Sequence, residues 1–537
     1  MKRSPSRSPE SIADYVERSA AVRADAYAIV GGGECWTYGE VDATATQFAR
    51  LLIEQGLRGR DRVCLLTSKS PAALVAMLGV LRAGGIYVPV DVKSPLRRVE
   101  LIIKSAEPRM LLATASADKL VRGLAERKLL ARATIVGSLD TSPLANDATI
   151  CAFSISDARA FSERPVRRSI RRSDPAHLLF TSGSTGIPKG VVITHANVIT
   201  FVEWAVRYFG IGPSDRNSGH APLHFDLSTF DIYGTLAAGA ELHLVDESLN
   251  LLPHKLARFV EQSQLTQWFS VPWALTHMAK FDAIPRDGLP SLKRVLWCGE
   301  VLPTPTLMYW MRRVPQASFT NLYGPTEATI ASSYYTLPAA PRVETAQIPI
   351  GVACDGEELL VLDDDLRRVP PGKIGMLYIG GRGLSPGYWR DKEKTDAAFL
   401  VDPRDSTGHA RIYRTGDLAR SDEHGNHYFL GRIDSQIKSR GYRIELGEIE
   451  KALAACRGLS EYAVVGVPSE LDGTTVCCAY APAPGAEVSV NDLVADLSSL
   501  LPKYMIPRRW RAYLELPKNI NGKIDRPRLR QELANEG

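Results

Sequence analysis

Three features of this 537-residue chain predict an α/β fold. Helical and strand patterns alternate from residue 11 onward, a β-rich stretch follows residue 340, and a charged, glycine-bearing segment at 431–453 opens a separate compact unit. They describe a large N-terminal core of stacked α/β layers with a β-rich subdomain, residues 1–433, and a small mobile α+β domain, residues 434–537. The formal charge of +5 is small for this length and gives no reason to expect nucleic acid or an acidic membrane surface. The N-terminus MKRSPSRSPE lacks the apolar run of a signal peptide, and stretches such as ALVAMLGVLRAGG are too short to span a bilayer, so a cytoplasmic location is expected. The eight cysteines are scattered without a C-x-x-C pair, so neither a zinc site nor a disulfide framework is indicated.

In chain order, the patterns predict helices near 12–21 and 41–55, the strand RVCLLT, a helix over 71–82 and the strand IYVPV. The polar, arginine-rich segment 154–174 reads as a solvated connector. Further α/β alternation runs to about 340, then ELLVLD, MLYIGG and HYFLG read as strands. From about Leu446 the order is helix, strand (EYAVVGV), strand (TVCCAYA), helix (NDLVADLSSLL), strand (RAYLEL).

The stretch LLFTSGSTGIPKGVV, residues 178–192, organises the rest: an apolar run, a loop of small residues, and a second apolar run. This predicts strand, phosphate loop, strand. Gly183, Gly186 and Gly190 let backbone N–H groups close over anionic oxygens. Thr181, Ser182, Ser184 and Thr185 add hydroxyl donors, and Lys189 adds charge. The Lys-Gly order leading into a β-type run excludes a Walker site.

Seven stretches in order, LLFTSGSTGIPKGVVITHANV, FDLSTFDIYGTLAAGA, NLYGPTEATI, IGGRGLSPGYW, YRTGDLAR, GRIDSQIKSRGYRIELGEIE and NGKIDR, resemble the adenylate-forming superfamily. Within it, the chain resembles the amino-acid adenylation domains of nonribosomal peptide synthesis and their free-standing relatives. The resemblance covers nearly the whole chain. It implies a ligase that uses ATP and Mg²⁺ to form an acyl-adenylate, then passes the acyl group to a phosphopantetheine thiol. By the same resemblance, Lys523 is the catalytic lysine of adenylation, Thr326 a donor to the α-phosphate and Glu327 a Mg²⁺ ligand, with Gly299, Glu300 and Gly324 also at the nucleotide. Tyr323 offers a flat face to adenine, Asp417 accepts the ribose hydroxyls, and Arg432 contacts ribose or phosphate. Asp434 takes the hinge position, and Gly441 lies on the face that opens a channel for the pantetheine arm after Lys523 swings away.

Asp226 decides the acid class. Ser228 with Asp231 reads as a capping box that starts a helix, which leaves Asp226 free in an apolar stretch where an unpaired carboxylate is expensive. The family supplies an α-ammonium partner there, so an amino acid is expected. The remaining pocket positions read Leu227, Phe230, Ser270, Leu296, Cys298, Leu322, Ile330 and Ala331, with no charge, which favours a small apolar amino acid: proline first, through the leucines, then alanine, through Cys298. The chain ends soon after NGKIDR with no carrier segment, so the expected partner is a separate phosphopantetheinylated carrier protein. Two departures from the family pattern, Met376 where a glutamate is usual and a long insert before the glycine loop, touch no proposed catalytic group. An acyl- or aryl-CoA ligase would share ATP, Mg²⁺, Asp417 and Lys523, and a catalytically inactive nucleotide-binding module would keep the fold alone.

Overall fold

The computed structural model describes residues 8–130, 134–141, 151–166, 168–183, 186–286, 288–469, 473–519 and 523–535. Two large sheets form the core layers. In the first, seven strands run in the order Phe153–Ser154, Ile135–Ser138, Met110–Ala113, Arg62–Leu66, Ile86–Val90, Pro175–Thr181, Lys189–Thr194. All are parallel except the last pair. In the second, nine strands centre on the parallel set Glu241–Leu244, Arg216–Gly219, Gln267–Ser270, Arg294–Cys298 and Ser318–Tyr323. Parallel strands need crossover helices on their faces, which is the alternation visible in the sequence.

The helix Pro71–Arg82 follows the predicted bounds because Ser70 caps it, proline opens it and almost every side chain is apolar. It is buried nearly throughout, as a helix apolar on all sides must be. Thr37 and Glu40 form a capping box that starts Tyr38–Glu54. Tyr38, Phe48, Tyr87 and Tyr233 lie in one buried cluster that joins the two sheets.

A five-stranded antiparallel sheet, Glu357–Leu362, Gly375–Gly381, Arg411–Ser421, Phe399–Val401 and His427–Arg432, is the β-rich subdomain. The hairpin Gln436–Ser439 and Tyr442–Glu445 then leads into the small domain, whose three-stranded sheet is Leu459–Ser469, Gly473–Pro482 and Arg509–Ala512. Two details differ from the sequence pattern. The strand expected across RAYLEL ends at Ala512, where its pairing to Tyr480 stops. A last helix, Arg526–Ala534, was hidden by its highly polar composition; Asp525 caps it by accepting the Arg528 N–H. Among the described residues no helix is long and apolar enough to cross a membrane.

Candidate functional site

The predicted strand, loop, strand is an antiparallel pair with Leu178 opposite Val192 and Thr181 opposite Lys189. The end of the first strand, at Thr181 and Ser182, therefore reaches a cleft of about 110 Å³ lined also by Asp226, Leu227, Cys298, Gly299, Tyr323, Gly324, Thr326, Asp417 and Arg432. Ser184 and Thr185 lie outside the described residues. Thr181 Oγ1 is buried without a hydrogen-bond partner, a hydroxyl that a phosphate oxygen would satisfy. Lys189 lies 3.9 Å from Glu327 Oε1 and 4.9 Å from the centre of the Tyr388 ring. Glu327 is wholly buried; its Oε1 accepts from Tyr388 OH at 2.8 Å and its Oε2 from Arg443 Nη1 at 2.6 Å. Burial alone would raise this carboxyl, but the Arg443 and Lys189 charges outweigh it and hold the group at about 2.

Asp226 sits at the turn into a short helix, Leu227–Thr229, that continues as a π turn over Phe230–Gly234. The expected capping box does not form. The helix begins one residue before Ser228, whose hydroxyl instead donates back to Phe225 O at 2.6 Å. Asp231 accepts the Ala221 N–H and faces the buried Lys69 ammonium, so tertiary pairing took the carboxylate that a local cap would have used. Asp226 remains free of capping, as the sequence implied, and its Oδ2 accepts from Thr326 Oγ1 at 2.8 Å. Burial pushes the Asp226 carboxyl up to about 6 against that hydrogen bond; the nearby Glu327 charge adds to the rise and Lys438 opposes it.

Side-chain alternation on the parallel strands builds the pocket behind Asp226. Trp268, Val295, Trp297 and Phe319 point to one face and form a tryptophan-rich core. Phe269, Leu296, Cys298 and Leu322 point to the other, where they meet Leu227, Phe230, Ile330 and Ala331. Phe230 packs in this cluster, edge-on to Phe201 at 5.4 Å and to Phe269 at 5.5 Å. Leu227 and Cys298 reach the cleft, and the others pack behind them. Ser270 is separated from this group: alternation puts it on the Trp268 face, where its hydroxyl accepts the indole N–H at 2.9 Å. Gly324 touches the same wall, since a Cβ there would lie 2.6 Å from Ala331 Cα.

An adjoining cavity of about 160 Å³ is lined by Gly299, Glu300, Val301, Leu302, Asn321, Tyr323 and Lys438. Tyr323 OH donates to Asp417 Oδ2, and Arg432 Nη1 pairs with Asp417 Oδ1. Arg432 also holds Asp434, with Nη2 donating to Oδ2 at 2.7 Å. Thus Tyr323, Asp417, Arg432 and Asp434 form one chain of contacts leading to the small domain.

That domain presents its hairpin to the cleft. Gly441 N–H donates to Glu300 Oε1 at 2.8 Å, Arg443 O accepts from Ser182 Oγ at 2.7 Å, and a Cβ built on Gly186 would meet Lys451. Arg98 and Glu448 form a buried ion pair across the same boundary at 2.8 Å. Lys523, by contrast, is exposed, is bound locally to Asn519 and takes no part in lining the cleft. Of the described candidate residues, Thr181, Ser182, Asp226, Leu227, Cys298, Gly299, Glu300, Leu322, Tyr323, Gly324, Thr326, Asp417, Arg432 and Gly441 line the cleft or its adjoining cavity, and Phe230, Leu296, Ile330 and Ala331 pack in the cluster behind them. Lys189 and Glu327 lie next to each other, Asp434 is tied to Arg432, and Gly183, Gly186, Ser270 and Lys523 line neither cavity. Sequence reasoning missed Tyr388, Lys438 and Arg443, although Tyr388 stands in SPGYW and the other two in the SQIKSRGYRIE stretch; only the fold shows where they point.

Among the described residues no group of three or more His, Cys, Asp or Glu could hold a metal by itself. A single carboxylate, Glu327, suits Mg²⁺, which keeps several waters and takes phosphate oxygens alongside one or two carboxylates.

An α/β core with a glycine-rich loop, a cleft lined by both carboxylates and cations and a small domain facing it defines, with its family match, an adenylate-forming ligase. Residues 16–389 match the AMP-binding enzyme family and residues 448–523 match the AMP-binding enzyme C-terminal domain; the chain belongs to this family. It is similar to an L-proline–[L-prolyl-carrier protein] ligase of Streptomyces coelicolor, at 34% identity over 93% of this chain and 92% of that protein. A ligase of the same name from Pseudomonas fluorescens is 31% identical over 94% and 96%. A linear gramicidin synthase of Brevibacillus parabrevis is 34% identical, but the chain spans 6% of its length. Among solved structures, the Vibrio cholerae adenylation domain AlmE in complex with glycyl-adenosine-5'-phosphate is 25% identical, with a TM-score of 0.83 over 98% of each chain.

Proposed function

We propose that the protein activates a small apolar amino acid, proline in the first place and alanine next, as an aminoacyl-adenylate and transfers it to the phosphopantetheine thiol of a separate carrier protein. One observation carries the amino-acid reading: Asp226 is a half-buried, poorly solvated carboxylate at the cleft whose only side-chain hydrogen-bond donor among the described residues is the Thr326 hydroxyl. A substrate α-ammonium supplies the missing counter-charge. The uncharged pocket with Phe230 packed behind it favours a short side chain, and the prolyl-carrier ligases among the relatives support proline.

In this reading Asp226 fixes the ammonium so that the substrate carboxylate faces the α-phosphate, which is catalysis by positioning. Thr326 and the phosphate loop donate to phosphate oxygens, Tyr323 and Asp417 hold adenosine, and Lys523 comes in to stabilise charge between carboxylate and phosphate. Mg²⁺, held by Glu327, would offset triphosphate charge. The small domain, residues 434–537, pivots about Asp434, and the orientation seen here, with Gly441 on the core and Lys523 outside, suits the thiol-transfer half-reaction.

The test uses stable sulfamoyl-adenosine analogues. The prolyl analogue should bind at least ~100-fold more tightly than its cyclopentanecarbonyl counterpart, which keeps the ring and loses the nitrogen, since a buried polar group left unpaired discriminates strongly. Equal binding of the two would remove Asp226 from amine recognition.

A further inference from the structure

Arg443 stands out among the groups that sequence reasoning did not assign. It comes from the small domain, yet its guanidinium reaches the wholly buried Glu327 carboxylate of the core. Nη1 donates to Glu327 Oε2 at 2.6 Å, Nε to Gln436 Oε1 at 2.8 Å and Nη2 to Tyr413 OH at 3.4 Å. Its carbonyl accepts from Ser182 on the phosphate loop. The other oxygen of Glu327 is taken by Tyr388; Lys189, at 3.9 Å, adds a second positive charge without a hydrogen bond. A buried carboxylate requires a counter-charge, and in this orientation Arg443 is the cation in contact with it.

We propose that Arg443 is a positioning residue that exchanges with Mg²⁺ at Glu327, so that docking of the Gln436–Glu445 hairpin and metal binding at that carboxylate exclude each other. This rests on the assignment of Glu327 as the metal ligand. If Mg²⁺ and triphosphate took the Glu327 oxygen and the Ser182 hydroxyl, Arg443 would have to release both, which would free the hairpin from the core. With Glu327 free again and only Lys189 near it, Arg443 would return as its hydrogen-bonded cation and draw Gly441 onto the core. Loss of one product thereby sets the domain orientation for the next half-reaction, by a charge exchange at a single side chain.

The experiment measures domain orientation directly. The full chain carries a fluorophore pair on non-canonical residues at the exposed positions Arg312 and Ser498, one in the core and one in the small domain. The inter-dye distance is followed as MgCl₂ is added with saturating α,β-methylene-ATP. The expected result is a docked population without metal that MgCl₂ depletes. In Arg443→Met the docked population without metal falls about tenfold, and the MgCl₂ concentration for half-depletion falls by a similar factor. The double variant Arg443→Met/Glu327→Gln carries neither charge, guards against misfolding of the single variant, and should show a docked population that no longer responds to MgCl₂. An identical MgCl₂ response in wild type and Arg443→Met, or strict additivity of the two substitutions, would overturn the exchange. Pyrophosphate exchange by the wild type is assayed in parallel. An Arg443-dependent distance change without amino-acid-dependent exchange would refute the substrate reading and leave this proposal standing; the reverse outcome would do the opposite.

Discussion

Replacement of Gly441 by alanine should separate the two half-reactions. In the observed orientation a Cβ at this position would lie 2.7 Å from Val271 Cγ1 and 3.0 Å from Cγ2. Carbon atoms pack at about 3.5–4.0 Å, so the methyl group is short of room by close to an ångström. Gly441 also has a φ of +83°, which costs an L-residue about 1–2 kcal/mol. The backbone strain travels with the hairpin and lowers overall stability, whereas the Val271 clash exists only when the hairpin is docked on the core. Overpacking of this kind costs about 1–3 kcal/mol, which at tenfold per 1.36 kcal/mol reduces the docked population by about 5- to 150-fold. Transfer from preformed aminoacyl-adenylate to pantetheine should fall by that factor, while ATP–pyrophosphate exchange stays within a few-fold of wild type. Val271→Ala in the same chain should restore part of the transfer, because it removes the two closest atoms and leaves only the Val271 Cβ at 3.1 Å. If exchange fell as far as transfer, or Val271→Ala gave no relief, the assignment of this orientation to thiol transfer would be refuted.

Three further outcomes follow from the site. Lys523→Ala should slow adenylate formation by about 10²–10³ or more and leave transfer from preformed adenylate near wild type, measured in the same two assays. Asp226→Asn should raise the KM for amino acid far more than that for ATP, and the wild-type amino-acid KM should climb as pH falls below about 6, where the free carboxyl takes up a proton. The same substitution should also stabilise the ligand-free protein at neutral pH. The folded-state value lies above the unfolded one, 3.8 against about 6, so stability is lost as pH rises through that window; the loss of about 3 kcal/mol is absent from the asparagine variant and measurable by denaturant titration. Phe230→Ala should shift the preferred amino acid toward longer side chains in an exchange screen, at a cost of about 3–5 kcal/mol in stability from the lost core aromatic.

Much of this molecule is legible in its sequence because local and tertiary signals agree. The Ser70 cap, proline and apolar run over Pro71–Arg82 have a single solution, and the two apolar runs around the glycine loop can only pair across it. The failures occur where tertiary partners compete with local ones. Ser228 and Asp231 have cap-forming spacing, but Asp231 accepts the distant Ala221 N–H in the field of Lys69, and the helix winds into a π turn instead. Ser270 aligns with pocket positions in the linear pattern, yet strand alternation carries it to the Trp268 side. Arg443 stands in a recognised motif, but its pairing with Glu327 depends on which face of the small domain meets the core, and no local pattern encodes a domain orientation.

Selection of an amino acid rests on the half-buried Asp226 carboxylate. ATP–pyrophosphate exchange across L-proline, L- and D-alanine, glycine, serine, valine, small β-amino acids and a set of aryl and fatty acids tests it most directly. A strong response from a small apolar amino acid, lost in Asp226→Ala, is predicted. Exchange stimulated only by aryl or fatty acids would contradict the account and make the protein a ligase of the CoA type.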